Sequence, residues 1–420
     1  MDKIIIEGGV KLNGEIKVSG SKNACLPILA ASILGEGESI IHNVPKLKDV
    51  ETMIKILECL GAKVEFSNNT VVVNPSTINN FTAPYELVSI MRGSVCLLGP
   101  LIGKYGQVKF SMPGGCVIGP RPIDIHIKGL KKLGVEISNE EGYIIGKVNK
   151  LKGTKIFLGG NFGSSVLATA NVMCAAVLAD GETFIEFAAC EPEIVDLANF
   201  LKKMGAKIYG EGSHLIKIEG VEKLKGVEYS IIPDRIEAGT YFLAGCITCG
   251  KLKVSNCLPE HLFSLIDKIE ESGESPNFGK DFLEIEGNEK WNAVDIVTLP
   301  YPGFPTDLQA QMMAFLSLAN GISVITEKVF PERFIHVGEL NRLGANIVLD
   351  GSKAIVKGVK FLKGTKVMAS DLRASAALVL AGLASRGKTE ISRVYHLDRG
   401  YEKFVEKLSS VGAKIKRITR

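Results

Sequence analysis

Six times along this chain, apolar residues recur at helical spacing, stop at a glycine and give way at once to a strand-like run. In the clearest case Ile194, Leu197, Phe200, Leu201 and Met204 share one helical face, behind the acidic, proline-bearing start Glu191-Pro192-Glu193. Acid and proline suit a helix N-terminus, and Gly205 suits a left-handed stop. Ala206 to Tyr209 then reads as a strand. The stopping glycines are Gly61, Gly134, Gly205, Gly273, Gly344 and Gly412, at intervals of 73, 71, 68, 71 and 68 residues. So regular a period predicts one folding unit copied in tandem. The other amphipathic stretches are residues 49–64, 122–137, 259–273, 331–347 and 398–415. Ahead of each amphipathic stretch lies a more apolar helix with its own closing glycine, at 26–35, 94–106, 166–181, 238–250, 308–321 and 374–387. A short strand follows each, giving a βαβαββ unit of a mixed α/β (α+β) protein.

Copies of about 70 residues exceed the size of solenoid repeats and should close into compact domains. The economical division is three copies per domain: 20–230 carrying a glycine-rich loop, and 1–19 plus 231–420. Ser230-Ile231-Ile232-Pro233-Asp234 reads as one extended crossing and Ser19-Gly20 as the other. Ile4 to Ile6 and Glu15 to Val18 read as a strand pair completing the C-terminal half. Such a double crossover predicts a hinge and a cleft.

Composition changes this picture little. Fifty Lys and Arg against 46 Asp and Glu leave a net charge of +4, dispersed and without a nucleic-acid-binding signature. With no charged leader and no apolar run of about 18 residues, a cytoplasmic protein without membrane or nucleic-acid partners, a monomer or weak oligomer, is expected. Nine cysteines fit reduced thiols, and Cys246-Ile-Thr-Cys249 fits a buried structural pair better than a redox or metal site. Six scattered histidines lack ligand spacing, so no metal and no cofactor is expected. His126 reads as a helix-packing residue.

The helices ahead of the amphipathic stretches are almost wholly apolar, yet their first turns carry Lys22 with Asn23, Arg92, Arg235 with Glu237, Asp307 with Gln309, and Asp371 with Arg373. A cation there is disfavoured by about 0.3–1 kcal/mol unless an anion sits between it and the helix end. Lys22, Arg92 and Arg373 therefore mark candidate anion sites, against the alternative that each pairs with a neighbouring carboxylate; for Arg235, the neighbours Asp234 and Glu237 favour that pairing. Arg121, Arg333 and Arg399 lie near the starts of the amphipathic helices. In the loop 112–122, glycines flank Cys116 ahead of a helix start and Arg121. That setting lowers a thiol pKa and suits a mobile lid, against the alternative of an inert turn cysteine.

Five motifs together carry a resemblance: Gly20-Ser-Lys-Asn-Ala-Cys-Leu-Pro27, Met91-Arg-Gly-Ser-Val95, Pro113-Gly-Gly-Cys116 with Gly119-Pro-Arg-Pro-Ile-Asp-Ile-His126, Phe304-Pro-Thr-Asp-Leu-Gln-Ala-Gln311 and Ser370-Asp-Leu-Arg-Ala-Ser375. From Ile4 to Ile418 the chain resembles the UDP-N-acetylglucosamine 1-carboxyvinyltransferase family of enolpyruvyl transferases. The resemblance implies the inside-out α/β barrel of EPSP synthase-like proteins. It also implies transfer of enolpyruvyl from phosphoenolpyruvate to the 3-hydroxyl of UDP-N-acetylglucosamine, the first committed step of peptidoglycan synthesis.

By the same resemblance, Lys22, Arg121 and Arg399 hold the phosphate and carboxylate of phosphoenolpyruvate, and Asn23 and Arg92 contact the sugar nucleotide. Arg121, Pro122, Ile123, Asp124 and Ile125 form a uridine wall, with Val329 near the sugar. Cys116 is the lid cysteine that protonates the enol carbon or aids product release and is alkylated by fosfomycin. Asp307 binds the sugar 3-hydroxyl as acceptor or base, and Arg333, Asp371 and Arg373 shape the same site. The chemistry asks for such types: a proton donor at the methylene, an acceptor at the hydroxyl, and cations for a dianion whose phosphate leaves. The chain departs at Gly163 to Asn171: Ser165 and Val166 persist, but the family's lysine, glycine and glutamate are Gly163, Leu167 and Ala170. A backbone anion nest from Gly159 to Ser165 is expected to replace the lysine. Two other readings are a silent UDP-N-acetylglucosamine-binding paralogue and 3-phosphoshikimate 1-carboxyvinyltransferase. Cys116 and the Arg-Pro-Ile-Asp wall speak against the latter.

Overall fold

The computed structural model describes residues 2–112 and 123–419, which fall into two compact units, 20–112 with 123–232 and 2–19 with 233–419. Each contains three βαβαββ repeats. In the third repeat, Lys155–Phe157 lies parallel to Glu182–Glu186, followed outward by Leu215–Glu219 and Lys207–Tyr209, both antiparallel. Ile156, Ile185, Ile208, Ile216 and Ile218 face inward and are buried, while Lys155, Glu186, Lys207 and Leu215 alternate outward.

All six period-setting glycines are left-handed, with φ of 102°, 100°, 111°, 92°, 94° and 95° from Gly61 to Gly412. A Cβ would be strained there, which is why glycine recurs. Gly35 and Gly250 do otherwise: Gly35 has φ of −74°, and the left-handed residues nearby are Gly37 and Cys249, at 83° and 51°. A Cβ on Gly250 would meet the Leu12 carbonyl oxygen at 2.3 Å and one on Gly35 the Met204 Cε at 2.8 Å. Close approach, by backbone at Gly250 and chiefly by the Met204 side chain at Gly35, and not a turn, accounts for these two glycines.

Within residues 20–232 the apolar helices Lys22–Ala31, Leu98–Tyr105 and Val166–Ala176 are almost wholly buried, and within the other unit so are Arg235–Ile247, Gln309–Leu316 and Leu372–Ala384. Helices form each core and the sheets present one face outward, an inside-out α/β barrel. Three of these helices begin earlier than the apolar pattern suggests, at Lys22, Arg235 and Leu372. Two others are preceded by 3₁₀ turns, Arg92–Leu97 and Thr306–Leu308.

Sheet completion differs from expectation. Lys3–Glu7 inserts between Lys388–Ser392 and Lys414–Ile418, whereas Asn13–Lys17 runs parallel to Lys251–Ser255. The two N-terminal strands thus finish two separate sheets of one unit instead of pairing with each other. Likewise Glu228–Ser230, from the end of the third repeat, supplies the first repeat's missing strand alongside Ser39–His42. Alternation reveals a strand but not its partner.

The eight described cysteines are free. Cys246 is fully buried, and burial pushes its thiol well up, as it raises that of half-buried Cys249. No described helix is long and apolar enough to cross a membrane.

Two buried carboxylates hold the chain beside the ends of the units. Asp196 accepts from the Tyr229 hydroxyl at 2.6 Å and the Ile232 amide at 3.3 Å. Glu237 accepts from the Ser19 amide at 2.8 Å and Lys407 Nζ at 2.6 Å. Burial pushes the first up to about 6 and the second up to about 7. Both exceed ordinary carboxylate values, so the folded state holds more protons than the unfolded, and these groups lose their stabilising contribution as pH rises toward 7. Urea midpoints should therefore shift in favour of Asp196→Asn, relative to wild type, between pH 4 and 7. A gap independent of pH would contradict the assignment.

Candidate active site

The strongest constellation lies within residues 233–419. Pro305 leads into the 3₁₀ turn Thr306–Leu308, which sets Asp307 at the head of Gln309–Leu316. Helix Leu372–Ala384 packs alongside, and its N-cap Asp371 accepts from the amides of Arg373 at 2.9 Å and Ala374 at 3.1 Å. The capped start fixes Arg373, whose Nη2 reaches Asp307 Oδ2 at 2.8 Å. Arg333 Nη1 reaches Oδ1 at 2.8 Å and the Thr306 hydroxyl at 3.0 Å. Side-chain exposure is 8% for Arg333, 4% for Arg373 and 27% for Asp307, so the carboxylate keeps an open side while its two cations are enclosed.

Burial alone would raise the Asp307 carboxyl, but Arg373 and then Arg333 outweigh it and hold the group well below the usual carboxylate range. Such a carboxylate is a firm hydrogen-bond acceptor and a weak base. Burial would lower the Arg373 guanidinium, yet Asp307 and other partners raise it instead. Tyr401 lies under Arg373, 5.5 Å from ring to guanidinium, and shares its hydroxyl with Thr240 at 2.9 Å and Gln311 at 3.2 Å. Val329 follows the buried Glu327, whose Oε1 accepts its amide at 2.9 Å. Arg399 ends the 3₁₀ turn Val394–Arg399 and is half-buried.

In residues 20–232, Ser21 caps helix Lys22–Ala31, and Lys22 Nζ sits 2.7 Å from Asp49 Oδ2, with side-chain exposures of 12% and 4%. The cation is thus already paired, with Asn23 beside it on the first turn. Asp49 had the look of an ordinary acid in a helix's first turn; only its spacing from Lys22 in three dimensions reveals the pair. Arg92 opens the turn Arg92–Leu97 and helps keep His126 neutral, although burial does most to push that imidazole down to about 3. His126 Nδ1 accepts from Asn171, confirming a packing residue and placing the imidazole proton on Nε2. Ile123 caps helix Asp124–Lys132 and is buried; Asp124 is exposed and Ile125 packs over Gly160.

The departing segment forms a hairpin, pairing Gly159 with Ser164 and Gly160 with Gly163. Part of the backbone expected to form an anion nest is engaged in this ladder. Ser165 caps helix Val166–Ala176, accepting from the Ala168 amide at 3.3 Å. Gly163 has φ of +103°, so a lysine there would strain the backbone and cannot simply restore the family's side chain. At Arg235, Glu237 turns to Lys407 and Ser19, and the Arg235 guanidinium stands 5.7 Å from the Tyr301 ring. Three expected site residues, Cys116, Arg121 and Pro122, lie outside the described residues. Among the described residues no group of His, Cys, Asp or Glu could hold a metal ion.

A family model described as EPSP synthase (3-phosphoshikimate 1-carboxyvinyltransferase) matches residues 6–408. UDP-N-acetylglucosamine 1-carboxyvinyltransferase of Methylacidiphilum infernorum (isolate V4) is 52% identical over 418 residues, covering 100% of this chain and 99% of that protein. Its counterpart from Geotalea uraniireducens (strain Rf4) is 52% identical over 419 residues, covering 100% of both. Among solved structures, the enolpyruvyl transferase NikO from Streptomyces tendae aligns with a TM-score of 0.90 at 25% identity, over 100% of this chain and 99% of that one. EPSP synthase from Acinetobacter baumannii shares the fold at a TM-score of 0.77 and 16% identity, over 100% of both chains. With half its residues shared across the whole length, the chain belongs to the UDP-N-acetylglucosamine 1-carboxyvinyltransferase family.

Proposed function

We propose that the protein transfers the enolpyruvyl group of phosphoenolpyruvate to the 3-hydroxyl of UDP-N-acetylglucosamine, releasing phosphate. Full-length identity of 52% to named enzymes carries this reading. The step commits sugar nucleotide to peptidoglycan, on which cell shape and division depend. Its setting is the cytoplasm, a reading supported by the free state of all eight described cysteines.

Addition and elimination divide the work. The sugar oxygen attacks C2 of phosphoenolpyruvate while C3 gains a proton; C3 then loses a proton and the C2–O bond to phosphate breaks. Asp307, held low by two arginines, orients the hydroxyl and takes its proton as the new C–O bond makes that proton acidic. Lys22, Arg121 and Arg399 steady the phosphate and carboxylate, and Cys116 supplies the proton to C3. Asn23, Arg92, the 123–125 segment, Ser165, Val166, Val329, Arg333, Asp371 and Arg373 bind the sugar nucleotide or shape its site. Lys22 must exchange or share Asp49 when phosphate arrives, because that pair already exists at 2.7 Å.

Phosphate release should occur with UDP-N-acetylglucosamine and not with shikimate 3-phosphate. The reverse preference would favour the sister enzyme, and binding without release the silent paralogue. Cys116→Ala should lose most turnover while Cys116→Asp retains it and resists fosfomycin; a fully active alanine variant would remove the thiol from the chemistry.

A further inference from the structure

Glu327 ends strand Ile322–Glu327, and its side chain is fully buried. Burying a carboxylate is costly unless donors surround it. Four do. Oε1 accepts from Thr298 Oγ1 at 2.6 Å and from the amides of Val329 and Phe330, each at 2.9 Å. Oε2 accepts from Thr306 Oγ1 at 2.9 Å. Every contact is a donor to the group, the pattern of an acceptor-only side chain.

The Thr306 hydroxyl has one proton. Committed to Glu327, it leaves the oxygen lone pairs facing Arg333 Nη1, which approaches at 3.0 Å and also donates to Asp307 Oδ1 at 2.8 Å. The chain of contacts therefore has a fixed direction: Arg333 donates to Thr306, and Thr306 donates to Glu327. Glutamine would break that direction. With its oxygen on the Thr298, Val329 and Phe330 donors, its amide nitrogen would point a second donor at Thr306 and leave the hydroxyl proton without an acceptor.

We propose that Glu327 is a positioning residue: through the Thr306 hydroxyl it seats the Arg333 guanidinium on Asp307, and through two amides it sets the turn that carries Val329. The inference rests on Asp307 acting in the reaction proposed above. Neither Glu327 nor Thr306 touches a reacting atom in this scheme. Their effect comes from geometry, since misplacing a group at the reacting centre by about 1 Å can cost on the order of 100-fold.

Steady-state phosphate release, at saturating phosphoenolpyruvate and varied UDP-N-acetylglucosamine, tests it with Thr306→Val, Thr306→Ser, Glu327→Gln, Arg333→Lys and the Thr306→Val/Arg333→Lys double variant. Thr306→Val and Glu327→Gln should lower kcat/KM by on the order of 10- to 100-fold. Serine keeps the hydroxyl and should restore most of the loss. In the Arg333→Lys background, Thr306→Val should cost less than about threefold more, because the partner it acts through is already altered. A wild-type rate for Thr306→Val, equal losses for valine and serine, or the same fold loss in both backgrounds would overturn the inference. Should the wild-type protein bind UDP-N-acetylglucosamine but release no phosphate, the functional reading fails by itself. The same cycle, read in calorimetric affinity for that nucleotide, then decides the role of Glu327.

Discussion

Asp307→Asn should lower kcat by on the order of 1,000-fold and destabilise the fold at the same time, by about 3 kcal/mol. The two effects have one origin. Asp307 receives Arg373 Nη2 and Arg333 Nη1, each at 2.8 Å, one on each oxygen. An amide can accept on one side only, and its nitrogen then opposes the second guanidinium. Arg373 is 4% exposed and cannot turn to water, so the lost counter-charge leaves a buried cation with no equivalent partner. Catalysis loses the anionic acceptor that orients the sugar hydroxyl. Phosphate release and urea unfolding on the same preparation measure both. Lost turnover at wild-type stability would mean that the two arginines do not depend on this carboxylate.

The largest purely structural effect is expected at Asn171, fully buried in helix Val166–Ala176. Its Oδ1 accepts the Gly99 amide at 2.6 Å, and its Nδ2 donates to the Val95 carbonyl and to His126 Nδ1, both at 2.9 Å. One side chain thus joins the turn Arg92–Leu97, helix Leu98–Tyr105 and helix Asp124–Lys132. Gly99 permits the approach, since a Cβ there would lie 2.1 Å from the Asn171 carbonyl oxygen. Asn171→Leu would leave two buried polar groups, the Gly99 amide and His126 Nδ1, without this partner, while the Val95 carbonyl keeps the Leu98 amide; at about 1–3 kcal/mol each before relaxation, a net loss of about 3 kcal/mol is expected. His126 cannot recover by taking up a proton, because burial pushes its pKa down to about 3. A loss below about 1 kcal/mol would show that water or rearrangement supplies the missing partners.

The repeat was legible because its marker is a backbone requirement. Gly61 through Gly412 all occupy the left-handed region, where other residues are strained, so the period survives divergence of everything between them. Gly35 and Gly250 misled for a related reason: glycine also answers close approach, and the letter alone does not say which need it meets. Strand existence could be read from alternation, but Lys3–Glu7 and Asn13–Lys17 find partners far along the chain that no local pattern encodes. At the candidate site, Asp307, Arg333 and Arg373 were singled out by charge at helix starts and by family motifs. Two buried acids were not: Glu327, which bonds Thr306 beside Arg333, and Asp49, which pairs with Lys22 in the other unit. Glu327 ends a strand and Asp49 opens a helix, both ordinary places for an exposed acid; their exposures of only 0% and 3% follow from tertiary packing.

Incubating the protein with phosphoenolpyruvate and UDP-N-acetylglucosamine in heavy water, and following phosphate and the vinyl protons by NMR, tests the central claim most directly. Addition followed by elimination passes C3 through a methyl group, so the account requires one phosphate per enolpyruvyl ether formed at the 3-oxygen, with deuterium entering the vinyl position. Nucleotide binding with no phosphate release, or release with no new ether at that oxygen, would contradict it.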